Sequence, residues 1–414
     1  MLNKILNLIK KIIPKRLFKL GQPIYHYILS KFSALIYGYP SNKMIVVGVT
    51  GTTGKSSSCY FMSQILESAG FKVGISTTTI FKVGDKEWLN DKKMTMIGRF
   101  QLQKLLKQMV KNECDIAIVE TTSEGIKQFR HLGISYDILV FTNLYPEHIE
   151  SHGSFEKYKQ AKGKLFKYLS KTKKKKVEKT IIANLDDEHA EYFLNFKADK
   201  KVTYGIDKDA DIKLNDLKIN LLGDYNRYNV LSGVAVANVL KVKEDKIKFA
   251  VENLKPLPGR LEFIENNKGI KILVDYAFEP KAVQKLYDTI KNVEYNKIIH
   301  ILGSTGGGRD KDRRPALGKL ASDNADIVIV TNEDPYDEDP MEIINQISSE
   351  VDNNKLHKIL DRREAIHKAL ELAKKDDLIL VTGKGAEQKM CLANGEMIDW
   401  DDRRIVREEM TKID

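Results

Sequence analysis

The segment 44–58, MIVVGVTGTTGKSSS, carries residues suited to holding the phosphates of a nucleotide. An apolar run leads into glycines and then into Gly54-Lys55-Ser56, and apolar residues at helical spacing follow. Backbone N–H groups in such a loop, with a helix N-terminus behind them, form a cradle for phosphate oxygens. The Lys55 ammonium can reach the terminal phosphates, and the Ser56 hydroxyl can ligate Mg²⁺. Because Val49 stands where the strict G-x-x-x-x-G-K-[ST] pattern has its first glycine, we predict a variant of this phosphate-binding loop.

Polar side chains follow the apolar strands that come after this loop. Strand-like and helical segments alternate, which predicts a doubly wound, mostly parallel α/β sheet with ligands at the carboxyl ends of its strands. Glu120 ends one such strand, so its carboxylate is a candidate Mg²⁺ ligand beside the phosphate loop. His148 and His152 follow another strand and are either ligands or turn residues. The segments concerned are 71–77, 99–112, 114–120 and 136–144.

A second α/β sheet is predicted beyond the Pro- and Gly-containing linker 256–260. Its strands are predicted at 270–277, 297–303, 325–332 and 377–383. Each ends in polar residues or glycines: Asp275, the glycine-rich turn 303–310, Asn332–Asp334 and Gly383–Glu387. Polar strand ends along one sheet edge are typical of a binding crevice. We therefore predict a Rossmann-like C-terminal domain.

The chain has 414 residues and a formal net charge of +11, and its basic residues are unevenly distributed. Residues 1–43 contain eight Lys and Arg and no acid, with apolar residues at helical spacing, which predicts a basic amphipathic helical segment. We expect this segment either to contact an anionic membrane surface or to pack on the next domain. Its lysines and Pro14 argue against a transmembrane helix and against a cleaved signal peptide. The lysine run 171–176 is predicted to be a solvated loop.

Three dispersed cysteines, with no C-x-x-C pair, argue against a zinc site or a disulfide framework and fit a reducing cytoplasm. We expect a cytoplasmic protein, peripheral at the inner face of the membrane if the basic segment binds lipid. No nucleic-acid partner is expected.

Ordered motifs along residues 44–414 resemble the Mur ligase family, and within it the UDP-N-acetylmuramoyl-tripeptide synthetases. Ten motifs in the family's order make this resemblance specific. They are GVTGTTGKSS (48–57), VETTSEG (119–125), FTNLYPEHIESHG (141–153), YKQAKGKLF (158–166), LLGDYNRYNVLSG (221–233), LPGRLEF (257–263), VDYAFEP (274–280), GGGRDKDRRP (306–315), TNEDPYDEDP (331–340) and TGKGAE (382–387).

The resemblance implies ATP-dependent formation of an amide bond through an acyl-phosphate. The substrates would be a muramyl peptide and an amino acid, with ATP and Mg²⁺ bound at the phosphate loop. The loop residues would be Gly51, Thr52, Thr53, Gly54, Lys55, Ser56 and Ser57. Glu120 would share the first Mg²⁺ with Ser56, and His148 would ligate a second. Lys162 matches a lysine that is carbamylated in the family, which turns a cation into an anion able to bind Mg²⁺; its helical position alone predicts a surface lysine.

The same resemblance assigns further binding residues. Asn226 and Asn229 match asparagines on the adenine side, and Arg260 and Asp275 match residues that approach the nucleotide. The pocket for a diamino acid would be formed by Arg309, Glu333, Asp334, Tyr336, Gly383 and Glu387. Members that add diaminopimelate usually carry D-N-P-R where this chain has Glu333-Asp334-Pro335-Tyr336. Without that arginine fork for a distal carboxylate, and with two acids, the pocket favours a side chain that ends in an amine, as in lysine or ornithine.

Several positions depart from the family pattern. Glu124 replaces a His, Glu147 replaces an Asp, and Phe278-Glu279 replaces His-Thr. We expect three regions: the basic segment 1–43, a central ATP-binding domain 44–259 and a C-terminal amino-acid-binding domain 260–414. Because only 43 residues precede the phosphate loop, we expect the family's UDP-binding domain to be absent and the acceptor to be nucleotide-linked or lipid-linked. Alternatives are an amidating or glutamate-adding relative, or a P-loop ATPase at the membrane without ligase activity.

Overall fold

The computed structural model describes residues 15–146, 152–175, 177–214, 217–308 and 311–413, with side chains from residue 21. The chain divides into two compact units. The first comprises the described residues of Met1–Trp88, Met94–Asn220 and Tyr225–Leu254. The second comprises those of Leu89–Lys93, Leu221–Asp224 and Lys255–Asp414. The predicted domain boundaries at 43/44 and 259/260 stay predictions, and the short segments that join the second unit were not predicted.

The first unit is built on an eight-stranded sheet in the order β4-β3-β2-β5-β1-β6-β7-β8. The six strands β2-β5-β1-β6-β7-β8 pair in parallel, in that spatial order, and β3 runs antiparallel to β2. The strands are β1 Ile45–Thr50, β2 Val73–Ser76, β3 Ile80–Val83, β4 Lys86–Leu89, β5 Ile116–Glu120, β6 Ile138–Phe141, β7 Thr180–Asn184 and β8 Lys200–Tyr204. Their β-branched and apolar residues are almost wholly buried, as expected for parallel strands covered on both faces.

The register of this sheet brings chemistry-bearing residues together at one edge. β1 lies between β5 and β6, with Val49 opposite Glu120 and Thr50 opposite Phe141. The phosphate loop therefore leaves β1 beside the end of β5, at the edge where parallel α/β sheets bind ligands.

Helices flank the sheet of the first unit. They are α1 Lys15–Ile36, α2 Lys55–Ser68, α3 Arg99–Lys111, α4 Ser123–Lys127, α5 Phe155–Leu169, α6 Ala190–Leu194, α7 Asp224–Val239 and α8 Glu244–Glu252, with a 3-10 turn at Pro40–Lys43. The helix α1 packs one face on the unit: Ser30, Ser33 and Ala34 are buried, and Ser30 Oγ accepts a hydrogen bond from Arg99 Nε at 2.9 Å. No helix in the described ranges is long and apolar enough to cross a membrane.

The lysine run 171–176 differs from the predicted solvated loop at Lys175. Its ammonium donates to the carbonyls of Ser41, Met44 and Ser135 and lies 2.5 Å from the buried carboxylate of Asp137. This side chain satisfies three backbone oxygens from two segments, so it is a structural lysine.

The second unit contains a six-stranded sheet in the order β13-β12-β11-β14-β10-β9, parallel except for the edge strand β9. Its strands are β9 Glu262–Phe263, β10 Lys271–Asp275, β11 Ile298–Leu302, β12 Ile327–Val330, β13 Leu356–Lys358 and β14 Leu378–Thr382, and the hairpin β15 Lys389–Cys391 and β16 Met397–Asp399 is separate. Its helices are α9 Pro280–Ile290, α10 Arg313–Asn324, α11 Pro340–Ser348, α12 Arg362–Leu372 and α13 Asp402–Met410, with a 3-10 turn at Ala393–Gly395. The predicted α/β class, with a mostly parallel sheet in each part of the chain, is confirmed.

Candidate active site

The phosphate loop is shaped by close approaches that only glycine permits. It leaves β1 at Thr50 and enters α2 at Lys55. A Cβ on Gly51 would lie 2.0 Å from Thr142 Oγ1. Gly54 has a φ of 77°, and a Cβ there would lie 2.3 Å from Asn229 Oδ1. The loop is thus held between the residues that follow β6 and the helix α7.

Thr142 and Asn143, directly after β6, fix the loop backbone. Asn143 Oδ1 accepts from the Thr53 amide at 2.9 Å, and the Asn143 carbonyl accepts from the Thr52 amide at 2.9 Å. Thr142 Oγ1 donates to the Thr53 carbonyl at 2.8 Å. These bonds fix the path of the loop backbone, as a pre-organised anion site requires.

Glu120 and Ser56 form the most specific pair at this edge. The Ser56 hydroxyl donates to Glu120 Oε2 at 2.7 Å, and the carboxylate is buried. The same oxygen accepts from the Thr78 amide at 2.9 Å, and Thr78 Oγ1 donates to Thr95 Oγ1 at 2.8 Å. A carboxylate and a hydroxyl side by side at the end of a phosphate loop are hard oxygen donors, so this pair fits Mg²⁺.

Two lysines contact the carbonyls of the phosphate loop. Lys55 Nζ donates to the Thr52 carbonyl at 2.7 Å. Lys162, on α5, is buried, donates to the Gly51 carbonyl at 2.7 Å, and lies 4.5 Å from the centre of the Tyr158 ring. The surface position that its helical spacing alone predicts is therefore wrong, and its amine lies at the loop.

Asn226 and Asn229, which are predicted to lie on the adenine side of a nucleotide, are on α7, behind the loop. Both are buried, and Asn229 Nδ2 donates to Asn226 Oδ1 at 2.9 Å. Asn229 Oδ1 accepts from the Ser58 hydroxyl at 3.3 Å, so it links α7 to α2. The adjacent Ser57 lies in the first turn of α2.

Two predicted site residues, His148 and Arg309, lie outside the described residues. The neighbouring His152 is described: its Nε2 lies 3.1 Å from Ser123 Oγ and 3.3 Å from Glu124 Oε1. Glu124, which replaces a family His, thus lies beside a histidine from another segment. Within the described ranges, no three His, Cys, Asp or Glu residues converge as a metal-binding group.

The predicted amino-acid pocket of the second unit contains paired charges. Lys384 is buried, and its ammonium lies 2.9 Å from both carboxylate oxygens of Asp334 and 2.6 Å from Glu387 Oε2. Asp334 Oδ1 also accepts from the Cys391 amide at 2.7 Å. Burial raises the pKa of Asp334, but Lys384 and then Lys93 outweigh this effect, and the net shift is downward. Asp334 is therefore an anion with partners rather than a free acid.

Glu333 precedes Asp334 in the chain and has fewer polar contacts. It is buried, its Oε1 accepts from Thr305 Oγ1 at 2.8 Å, and its Oε2 has no hydrogen-bond partner in the described part of the chain. Burial, and then the nearby charge of Asp334, raise its pKa. Gly383 has a φ of 106° and leaves room for this side chain, because a Cβ there would lie 2.5 Å from Glu333 Oε2.

Tyr336 is the last residue of the Glu333-Asp334-Pro335-Tyr336 motif. Its backbone has a φ of 50°, and its amide donates to the Cys391 carbonyl at 3.3 Å.

Asp275 and Arg260 lie close together in the second unit. Asp275 Oδ2 accepts from the Leu261 amide and Oδ1 from the Ala277 amide, both at 2.7 Å, and burial raises its pKa. The Arg260 guanidinium lies 4.2 Å from the centre of the Tyr276 ring. Asp275 thus organises the backbone at the end of β10 while Arg260 stacks beside it.

The replacement residues Phe278 and Glu279 have a shared partner. Arg313 lies 5.5 Å from the centre of the Phe278 ring and donates to Glu279 Oε1 at 2.7 Å. An arginine from the glycine-rich motif therefore accompanies the departure from His-Thr at these two positions.

Sequence reasoning missed three residues at these sites: Thr78, Lys93 and Lys384. Lys384 stands inside the TGKGAE motif, and this motif is the signal that could have identified it. Thr78 and Lys93 lie in irregular segments, and only their contacts with Glu120 and with Asp334 identify them. The lysine contacts change the charge argument for the pocket, because its acids already have cationic partners.

Comparison with known proteins agrees with this architecture. Residues 49–237 match the Mur ligase middle domain, and residues 259–385 match the Mur ligase glutamate ligase domain. A UDP-N-acetylmuramoyl-L-alanyl-D-glutamate--2,6-diaminopimelate ligase of Clostridium acetobutylicum is 33% identical over 93% of this chain and 82% of that protein. The Bacillus velezensis enzyme of that name is 33% identical over the same shares.

Solved structures show the same fold. A UDP-N-acetylmuramoyl-L-alanyl-D-glutamate--2,6-diaminopimelate ligase superposes with a TM-score of 0.60 at 28% identity, over 89% of this chain and 78% of that one. A folylpolyglutamate synthase of Mycobacterium tuberculosis superposes with a TM-score of 0.65 at 15% identity, over 86% and 92% of the two chains, and shows likeness of fold alone.

The two sheets and the phosphate loop define an ATP-dependent ligase that forms amide bonds. The chain belongs to the Mur ligase family, and its relatives of diaminopimelate-ligase type act in peptidoglycan biosynthesis. Members of this family use ATP and Mg²⁺ and pass through an acyl-phosphate.

Proposed function

We propose that this Mur ligase adds a diamino acid with a lysine-like side chain to the terminal carboxylate of a muramyl peptide. The observation that carries the proposal is a phosphate loop with the Ser56–Glu120 pair in the same chain as an Asp334–Glu387 pair that already holds ammonium groups. The first arrangement suits phosphoryl transfer, and the second suits recognition of an amine.

In the proposed reaction, the acceptor carboxylate attacks the γ-phosphate of ATP and ADP departs. The loop amides and the Lys55 ammonium stabilise charge on the phosphates. Mg²⁺, when bound by Ser56 and Glu120, would neutralise phosphate charge. The α-amine of the incoming amino acid then attacks the acyl-phosphate, which gives the amide and inorganic phosphate.

The identity of the amino acid depends on the pocket of the second unit. The relatives named above are diaminopimelate ligases, and diaminopimelate carries a distal carboxylate as well as an amine. This chain has Tyr336 where the arginine of the D-N-P-R pattern would bind that carboxylate bidentately. Asp334 and Glu387 already hold the ammonium groups of Lys384 and Lys93, so their carboxylates suit a primary amine, which supports lysine or ornithine.

An ADP-release assay with a muramyl dipeptide acceptor tests this assignment. ADP should form only when both acceptor and amino acid are present, with a higher kcat/KM for L-lysine or L-ornithine than for meso-diaminopimelate. Preference for diaminopimelate would overturn the amino-acid assignment, and ATP turnover indifferent to both substrates would overturn the ligase proposal. Mass spectrometry of the product identifies the added residue.

We further propose that Lys162 is carbamylated in the active enzyme. Its burial at the Gly51 carbonyl supports this, because a carbamate there would place an anion close to a loop that binds the metal–nucleotide complex. Activity should rise with added bicarbonate in the wild type and be lost in Lys162→Arg. Insensitivity to bicarbonate after removal of CO₂ would contradict the proposal.

The acceptor is proposed to be lipid-linked, with residues 1–40 in contact with an anionic membrane surface. The support is the outer face of α1, where five large apolar side chains are more than half exposed: Ile24, Ile28, Phe32, Leu35 and Ile36. Their spacing puts them along one face of the helix, and residues 1–43 contain eight Lys and Arg and no acid. An apolar face flanked by Lys and Arg suits the interface of an anionic bilayer.

Vesicle co-sedimentation distinguishes this contact from a surface of no consequence. The wild type should pellet with phosphatidylglycerol vesicles more than with phosphatidylcholine vesicles, and the double variant Ile28→Glu, Phe32→Glu should lose the difference. Phe249→Glu, which changes an equally exposed apolar residue on α8, is the matched control and should pellet like the wild type. Equal pelleting of all three proteins would contradict the proposed membrane contact.

The ADP-release assay compares lipid-linked with nucleotide-linked acceptors. A higher kcat/KM for the lipid-linked acceptor is expected, and a higher value for the nucleotide-linked acceptor would contradict the proposed carrier.

A further inference from the structure

Lys93 inserts a second ammonium into the pocket formed by Asp334 and Glu387. Its Nζ lies 2.6 Å from Asp334 Oδ2 and 3.0 Å from Glu387 Oε2. The side chain is 14% exposed, and the contact spans 241 positions of the chain. Lys93 belongs to the short segment Leu89–Lys93, which is part of the second unit although it falls within the sequence of the first.

This ammonium is not required to neutralise the pocket. Lys384 already contacts both oxygens of Asp334 and the same Glu387 oxygen, and Tyr276 donates to the other Glu387 oxygen at 3.2 Å. Removing Lys93 would therefore leave each carboxylate with a partner.

The backbone at Lys93 has a φ of 47°, in the left-handed region that non-glycine residues rarely adopt. Burial by itself lowers the pKa of Lys93, but the carboxylates of Glu387 and Asp334 outweigh burial and raise it, so the side chain is a cation. A strained residue with a buried charge is typical of a functional position.

We propose, on the basis of the function proposed above, that Lys93 is a specificity-determining residue whose ammonium competes with the terminal amine of the incoming amino acid. The Lys93 side chain and the side chain of the incoming amino acid each carry a primary ammonium group on a flexible aliphatic chain. Each of these groups would donate hydrogen bonds to the same two oxygens, Asp334 Oδ2 and Glu387 Oε2. The amino acid enters the pocket when Lys93 withdraws. Its apparent affinity is then reduced by the fraction of molecules in which Lys93 occupies the pair.

The test compares Lys93→Met with the wild type in amino-acid-dependent ADP release. Methionine keeps the length and apolar stem of the side chain but removes the charge. KM for L-lysine should fall by about tenfold if Lys93 occupies the pair in about nine molecules of ten. The value of kcat should stay within about twofold, because the phosphate loop is unchanged. KM for norleucine, which lacks the terminal amine, should change much less.

Lys92→Met is the matched control, since it removes the neighbouring lysine, which is 48% exposed and paired only with Asp91 among the described residues. It should leave KM unchanged. An unchanged or raised KM for L-lysine in Lys93→Met would overturn the proposal, and so would an equal fall for norleucine. If no amino acid stimulates the wild type, the proposed ligase function fails instead, and the role of Lys93 falls with it.

A measurement on the unaltered protein guards against a variant that does not fold. Hydrogen–deuterium exchange in the peptide covering Leu89–Lys93 should rise when the wild type is saturated with L-lysine, because the segment loses its ion pairs. Exchange that stays constant or slows would contradict displacement of Lys93.

Discussion

At the scale of single residues, the proposed Mg²⁺ site of the first unit depends on the carboxylate of Glu120. Glu120 accepts hydrogen bonds from the Ser56 hydroxyl and from the Thr78 amide, so it links the start of α2 to the segment after β2. A full negative charge at this point can share a cation with the phosphates of ATP, whereas an amide cannot neutralise one.

The variant Glu120→Gln should therefore lower kcat by about 10²–10³-fold, since it retains shape and an acceptor oxygen but loses the charge. ADP release at saturating ATP measures the effect, and the thermal unfolding midpoint checks that the fold is retained. Glu191→Gln, on the exposed surface of α6, is the control and should behave as wild type. If the kcat of Glu120→Gln stays within about threefold of the wild-type value, this role for the carboxylate is ruled out.

At the scale of elements, two helices of the second unit pack through a glycine. Gly318 lies on α10, where a Cβ would come within 1.9 Å of the Ile347 carbonyl oxygen on α11. This backbone cannot yield as the end of a flexible side chain could, so the contact fixes how closely the two helices approach. By contrast, Gly21 on α1 has nothing within 4 Å of its Cβ position.

Gly318→Ala and Gly21→Ala should consequently shift stability in opposite directions. Alanine is favoured over glycine in a helix by about 1 kcal/mol, and at Gly21 nothing opposes this gain. At Gly318 the steric overlap should reverse the sign and destabilise the protein by about 1–3 kcal/mol. Urea unfolding measures both changes, and a stabilised Gly318→Ala would show that α10 and α11 are less tightly packed than described.

At the scale of the whole molecule, stability depends on buried neutral histidines in both units. His300 is wholly buried between Tyr287 OH at 2.7 Å and Thr382 Oγ1 at 2.9 Å, and burial lowers its pKa from 6.5 to about 3. His131 in the first unit is also buried, and burial lowers its pKa to about 3. These side chains stay neutral in the folded protein but take up protons when it unfolds below pH 6.5.

The histidine contribution to stability is therefore complete above pH 6.5 and is lost progressively as the pH falls from 6.5 towards 3. Each histidine should cost about 1.4 kcal/mol of unfolding free energy between pH 7.5 and pH 5.5. His300→Gln, which keeps a donor and an acceptor, should lose less stability than the wild type over this interval, by about the same amount. Urea unfolding at both pH values measures the difference, and equal losses in the two proteins would contradict a neutral His300.

The sequence by itself determined the α/β class, both sheets and the phosphate loop. Apolar β-branched runs, helical spacing and strand-end polar residues are local signals, and each lies within a few positions of the residue it predicts. The ten ordered motifs also identified the family, which the comparisons confirm.

Only the tertiary structure decided which side chains meet. The Glu120–Thr78, Lys162–Gly51 and Lys93–Asp334 contacts join segments that are far apart in the chain, and no local pattern specifies such partners. The acids of the Glu333-Asp334 motif illustrate the reason: the sequence shows their charge, but the chain fold brings Lys384 and Lys93 to Asp334 and buries Glu333. Burial and long-range pairing set the charge state of a site, and both arise only when the chain is packed.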